Sequence, residues 1–290
     1  MKNVLRTLVF GGQVSLTLAD TTEIVREGIQ LHKLSAGSGY VFGKALSAMT
    51  FMSACLKENT GEISLSLKTE GECQEIAVSG NRALRIRGYI GNTQMAGGID
   101  TASEIRALQG NGSLTIIRDD GYSRPFVGTC AFPEKGGVDE AFEEYYRISE
   151  QLPTRIKTAV RFDEDGKLVF AGVAVLQPLP FASAEALQKT RDTDLDALLT
   201  LAQEKGARRA ADSLSPDYTV WEERNAKYQC NCSRQYLTRV LVSLGKAQME
   251  QIIKEDGAVR IHCHYCNTDY QFTQEDADRI FPQNDGTDGV

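Results

Sequence analysis

The sequence has no excess of basic residues. It carries 32 Lys and Arg against 39 Asp and Glu, for a net charge of −7. That balance argues against a general nucleic-acid footprint, which needs a basic surplus, and against electrostatic docking on anionic membranes. A secretory signal is also missing. Lys2 and Arg6 precede Leu8, Val9 and Phe10, but Gly11, Gly12 and Gln13 break the apolar run that a signal would need. The segment reads instead as a β-hairpin turning at the glycine pair. No stretch is suited to crossing a bilayer. Tyr40 to Leu56 is apolar nearly all round, but it is short and contains Lys44, so it reads as a buried core helix. Histidine is scarce, at three residues, and only His32 lies outside the last quarter of the chain. No nucleophile–base pair is evident, and the chain is not expected to be an enzyme. There is no internal repeat and no low-complexity tract apart from a polar tail from Pro282. With no signal, the expected compartment is the reducing cytoplasm, where cysteines are usually free, metal-bound or redox-active.

The chain has 290 residues, 41% of them hydrophobic, enough for a sizeable core. Its first part mixes α and β signals. Strands are expected at Ile63–Leu67, Leu84–Ile90, Leu114–Ile117 and Phe126–Phe132, and a hairpin at Arg161–Phe162 and Leu168–Val175 around Glu164-Asp165-Gly166. Helices are expected at Glu23–Leu31, behind a capping box of Asp20 and Glu23, at Tyr40–Leu56, and at Val138–Glu150. Helices and strands do not alternate regularly, which predicts an α+β fold with a mainly antiparallel sheet. After Pro178 and Pro180 the texture changes. From Phe181 to Gln229, 16 of 49 residues are charged. Leu195, Leu198, Leu199 and Ala202 form a narrow apolar stripe behind Asp194 as N-cap, with Gly206 and Pro216 as breaks. The expected organisation is an N-terminal α+β domain over 1–180, a helical linker over 181–227 and a small C-terminal module over 228–290.

Three of the seven cysteines are scattered: Cys55, Cys73 and Cys130. The other four form two pairs, Cys230-Asn231-Cys232 and Cys263-His264-Tyr265-Cys266, 30 residues apart. Two tight turns that each supply two thiolates can complete a tetrahedral zinc shell. An amphipathic helix over Arg239–Lys254, with Val240, Leu241, Leu244, Gln248 and Ile252 along one face, is expected to bring the turns together. His262 and His264 flank Cys263 and would project away from it on an extended segment, so neither is expected to be a ligand. Spacing alone leaves a purely structural zinc site and a redox site both open. Cys263 and Cys266 have dithiol-oxidoreductase spacing, and Cys230 and Cys232 can pair through a more strained ring. Two rivals remain: a dithiol enzyme, and a zinc-ribbon nucleic-acid binder using Arg82, Arg85 and Arg87. Four cysteines close the shell against the first. The acidic charge disfavours the second, and the arginines read as a solvated sheet face.

The paired cysteines, followed by Asn267, Tyr270 and Phe272, resemble the C-terminal zinc module of heat shock protein 33, the redox-regulated chaperone family. Further landmarks occur in family order: Arg87-Gly88-Tyr89-Ile90, Arg118-Asp119 with Pro125-Phe126-Val127, Ser149-Glu150-Gln151-Leu152-Pro153, and Ala171-Gly172 leading to Gln177. The resemblance implies an inactive, reduced form with zinc on Cys230, Cys232, Cys263 and Cys266. It implies that oxidation forms the disulfides Cys230–Cys232 and Cys263–Cys266, releases zinc and unfolds the linker. The exposed surfaces would then hold unfolding client proteins without ATP, and the oxidised form has room to act as a homodimer. Glu72-Cys73 and Thr93 depart from the family's usual turns. Cys73 and Cys130 match no switch position and read as small apolar filler.

Overall fold

A computed structural model describes residues 2–133 and 136–282. It divides into two compact units, Met1–Gln229 and Cys230–Val290. The polar tail expected beyond Pro282 falls at Gln283–Val290, outside the described residues.

In the first unit, β1 (Val4–Val9) and β2 (Val14–Asp20) form the predicted hairpin, with Phe10, Gly11 and Gly12 all at positive φ in the turn. Helix α1 (Thr22–His32) follows. Its expected capping box is not formed. Thr21 takes the N-cap position, but its hydroxyl is committed to the buried Ser47 hydroxyl at 2.6 Å. Asp20 instead accepts from the Thr22 amide, and Glu23 pairs with Arg26.

Helix α2 (Ala36–Ala54) starts at Ser35, whose hydroxyl accepts from the Ser38 amide. It is buried along nearly its whole length, as its all-round apolar character predicts. A Cβ at Gly43 would lie 2.7 Å from Val25 on α1, so glycine permits that close approach. Lys44 is tolerated because it meets Glu104 at 2.7 Å and Asp139 at 3.4 Å. Burial alone would push its pKa down; the two carboxylates outweigh it and hold it raised.

Two sheets pack on α2. The six-stranded sheet contains β3 (Glu62–Lys68), β4 (Glu75–Asn81), β5 (Arg85–Ile90), β6 (Ser113–Asp119) and β7 (Phe126–Ala131), with the short α3 (Thr101–Ala107) between β5 and β6. Strand β4 was not foreseen. It is buried on both faces, which erases the alternation a strand reading depends on. Helix α4 (Val138–Tyr145) passes into a π turn at Tyr146–Glu150, where one continuous helix was expected. Glu150 there accepts from Arg118 at 2.6 Å and from the Tyr145 hydroxyl at 2.9 Å. Strands β8 (Arg155–Phe162) and β9 (Leu168–Pro178) complete the predicted hairpin and join β1 and β2.

The segment after Pro180 is helical only at first. Helices α5 (Ala184–Asp192), α6 (Leu195–Lys205) and α7 (Ala207–Leu214) are followed by β10 (Thr219–Arg224) and β11 (Lys227–Tyr228). Asp194 caps α6 as predicted, accepting from the Asp196 and Ala197 amides. Strand β10 adds antiparallel to β1, giving the order β10-β1-β2-β9-β8, and β11 adds parallel to β5. Every other strand pairing is antiparallel among the described residues, so the fold is α+β with a mainly antiparallel character. Two apolar cores result. One surrounds α2. The other lies on the outer face of the five-stranded sheet, where Ala186, Leu195, Leu198, Leu199, Ala210 and Ala211 cover Leu5, Leu16, Leu18, Phe170 and Leu176.

The second unit holds α8 (Arg234–Leu244), α9 (Lys246–Asp256), the antiparallel hairpin of β12 (Val259–Cys263) and β13 (Thr268–Phe272), and α10 (Gln274–Ile280). The single helix expected over Arg239–Lys254 is two helices, broken at Gly245 with φ +95°. The break resets the helical phase. Of the expected apolar face only Leu241 is buried, and it is joined by Met249 and Ile253, while Val240 and Leu244 are exposed.

Candidate metal centre

Ser233 accepts from the Tyr236 amide and caps α8, so the chain just before it is held in a turn carrying Cys230 and Cys232. Within that turn the Cys232 amide donates to the Cys230 sulfur at 3.4 Å. Cys263 ends β12, and Cys266 lies in the reversal before β13, its amide donating to the Cys263 carbonyl. Asn267, at φ +51°, closes that reversal; asparagine tolerates this left-handed geometry better than most residues. The strand register opposes Cys263 to Thr268.

The two turns bring all four predicted sulfurs within 4.8 Å of one another. Cys230 lies 3.7 Å from Cys263 and Cys232 lies 3.0 Å from Cys266. All four thiols are free and partly exposed. Among the described residues this is the one group of histidine, cysteine and carboxylate side chains placed to hold a metal ion together. His262 and His264 stay outside it. His262 bonds Asp269 at 2.8 Å, and the two rings meet edge to face at 4.9 Å.

Tyr270 stands out as a family landmark in the sequence, but its contact does not. From β13 its hydroxyl reaches the Cys232 sulfur at 3.3 Å, a placement set by the hairpin register, which the cysteine spacing does not encode. At the start of α8, the Arg234 guanidinium lies over the Phe272 ring at 4.4 Å and pairs with Asp276 at 2.7 Å.

The sulfurs differ electrostatically. Burial pushes the Cys230 thiol well up, and burial with its Cys232 contact pushes Cys266 up to about 11. Burial also acts on Cys232, but hydrogen bonds from Cys266 and Tyr270 outweigh it and lower that thiol to about 7. Of these three thiols Cys232 is the most readily ionised, and the thiolate is the species that both ligates metals and attacks oxidants. Of the scattered cysteines, Cys73 and Cys130 are buried in the first unit's core. Burial raises the Cys73 thiol to about 12.

Comparison with known proteins agrees with this architecture along the whole chain. A model of the Hsp33 protein family matches residues 2–273. A 33 kDa chaperonin of Bacillus cytotoxicus is 30% identical over 299 residues, covering 97% of this chain and 99% of its own. A 33 kDa chaperonin of Clostridium novyi is 29% identical, covering 94% and 95%. The crystal structure of the 33 kDa chaperonin from Thermotoga maritima superposes with a TM-score of 0.81 at 23% identity, covering 97% of this chain and 98% of that one, so it shares the fold. These relatives are named as chaperones, not enzymes. With the family match running from the first hairpin through β13, the chain belongs to the Hsp33 family of chaperones.

Proposed function

We propose that this chaperone is an ATP-independent holdase of the cytoplasm, switched on by oxidation of a zinc-bound four-cysteine site. The observation that carries the reading is the apolar outer face of the five-stranded sheet, covered by α5, α6 and α7. Those helices are short, and helices of 8 to 11 residues are marginal in water without a docking partner. A segment that covers an apolar face and depends on that face for its own order can be released as a unit.

Residues 228–290 are the switch and 181–227 the responsive linker in this reading. A tetrahedral zinc shell with Zn–S bonds of about 2.3 Å would need S···S edges of roughly 3.8 Å; the Cys230–Cys263 separation of 3.7 Å fits, and the Cys232–Cys266 pair, at 3.0 Å, would open slightly to match. Zinc held by Cys230, Cys232, Cys263 and Cys266 would cross-link the two turns of a unit with little core of its own. Oxidation takes two electrons from each pair of thiolates and forms one S–S bond; hydrogen peroxide accepts them, takes two protons from solvent and leaves as two waters. We assign the pairs as Cys230–Cys232 and Cys263–Cys266, because short loops cost least to close. A disulfide sulfur is no longer a thiolate, so the ligand set is lost. The first ligand, Cys230, follows Tyr228 by two residues, so this change acts on the chain just past the end of the linker. The uncovered sheet face then binds unfolding polypeptides. Two copies exposing the same face can also bury it against each other, so a dimer on oxidation belongs to the same reading.

The test is zinc content and suppression of client aggregation, measured on reduced and peroxide-treated protein side by side. About one zinc per chain with little suppression, then none with strong suppression, is expected. Equal suppression in both states contradicts the switch. Peptide mapping that finds Cys232–Cys266 and Cys230–Cys263 overturns the pairing.

A further inference from the structure

Three arginines converge on one carboxylate in the first unit. Arg6 on β1 reaches Glu222 at 3.4 Å, Arg82 in the β4–β5 turn at 3.2 Å, and Arg224 on β10 at 3.5 Å. These are long for charge-assisted hydrogen bonds, which settle near 2.7–2.9 Å. Among the described residues, Glu222 is the one acid paired with any of the three. The neighbouring Glu223 is taken by Lys2 and Arg208. Three positive charges thus face one negative charge. The side chains are shielded, with 12%, 25% and 19% of their surfaces exposed, so water screens the excess only in part.

The donors are also underused. Arg6 gives Nη1 to the Ala54 carbonyl at the end of α2, and Arg224 gives Nη2 to the Arg82 carbonyl. Arg6 Nη2 lies 3.9 Å from the Cys55 sulfur. Arg6 Nε, Arg82 Nε and Nη1, and Arg224 Nη1 are buried with no acceptor on the protein. Buried N–H groups without partners are rare in folded proteins and are commonly satisfied by a bound water or ion; here several belong to side chains that meet at one carboxylate. Arg82 reads as part of a solvated basic strand from sequence; the structure turns it into this cluster.

We infer that Arg6, Arg82 and Arg224 form a binding site for a tetrahedral oxyanion, phosphate or a phosphate ester. The planar guanidinium fork matches such an anion, and three forks from different elements can surround it. The anion supplies the missing negative charge and acceptors and competes with Glu222 for the same donors. It bridges β1, the β4–β5 turn and β10, fastening the last long strand of the linker to both sheets. The site does not involve the four clustered cysteines.

The chain carries its own probe. Trp221, its single tryptophan, is 60% exposed and lies 4.5 Å under the Arg6 guanidinium. Reduced full-length protein is titrated at constant ionic strength with sodium phosphate, adenosine monophosphate or sodium chloride while Trp221 emission is followed. A saturable response to phosphate and none to chloride is expected. Saturation by phosphate alone assigns the free ion; saturation by both phosphates extends the site to esters. The half-saturating concentration should rise at least tenfold in the double variant R82Q/R224Q. It should fall several-fold in E222Q, which removes the competing carboxylate and keeps the test valid if the double variant does not fold. A response that chloride reproduces, that never saturates, or that is unchanged in E222Q overturns the site. Because no oxidant is used, failure here leaves the redox reading untouched.

Discussion

The two units keep their folds by different means. Met1–Gln229 has a helix buried on all sides, α2, with an apolar core around it and a second core on the outer sheet face. Cys230–Val290 has, among its described residues, a core of Leu241, Met249, Ile253, Val259, Phe272 and Ala277, and then four sulfurs. A fold of that size buries too little to be secure alone, and a bound structural metal typically contributes on the order of 10–16 kcal/mol. The first unit is stabilised by apolar burial, which does not depend on a thiolate. In the proposed reading the second unit is held by metal-bound thiolates, which a peroxide can oxidise. On that reading redox sensitivity belongs to the second unit, and the first keeps its fold without it.

The largest effect that could break this comparison comes from the ligands. Cys263→Ser, or a strong chelator, should unfold the second unit at a cost on the order of 10 kcal/mol and leave the first folded. Loss of dispersed NMR signals from 230–282 alone is expected; retention of them removes metal from the account. Next is Phe42→Ala, which opens a cavity at a fully buried position of α2 and should cost about 3–5 kcal/mol in the first unit's denaturant stability. Metal content should not change. Leu199→Ala loosens the linker's hold on the sheet face by roughly 2–5 kcal/mol, and the reduced protein should then suppress client aggregation measurably. Smallest is Asp194→Ala, which removes the α6 cap for about 1 kcal/mol and should show as faster amide exchange confined to α6.

Legibility in the sequence follows the same division. The clustering of the four sulfurs was readable because cysteine spacing is local, and the hairpins and α2 because their patterns are local too. What escaped depends on partners distant in the chain. Strand β4 hides because both faces are covered. Strand β10 hides because its polar residues meet Arg6 and Arg82 from elsewhere in the chain. The capping box failed because Thr21 already bonds Ser47. In the second unit a single glycine, Gly245, turned one expected helix into two and moved the apolar face. Tyr270 could be quoted as a landmark, yet its bond to Cys232 emerges only from strand register.

Hydrogen exchange on reduced and peroxide-treated protein, read peptide by peptide, tests the central claim most directly. The account predicts that protection falls in 230–282 and in 181–227 on oxidation while α2 and its surrounding strands keep theirs. Unchanged protection across α5, α6 and α7, or an equal loss throughout the chain, would contradict it.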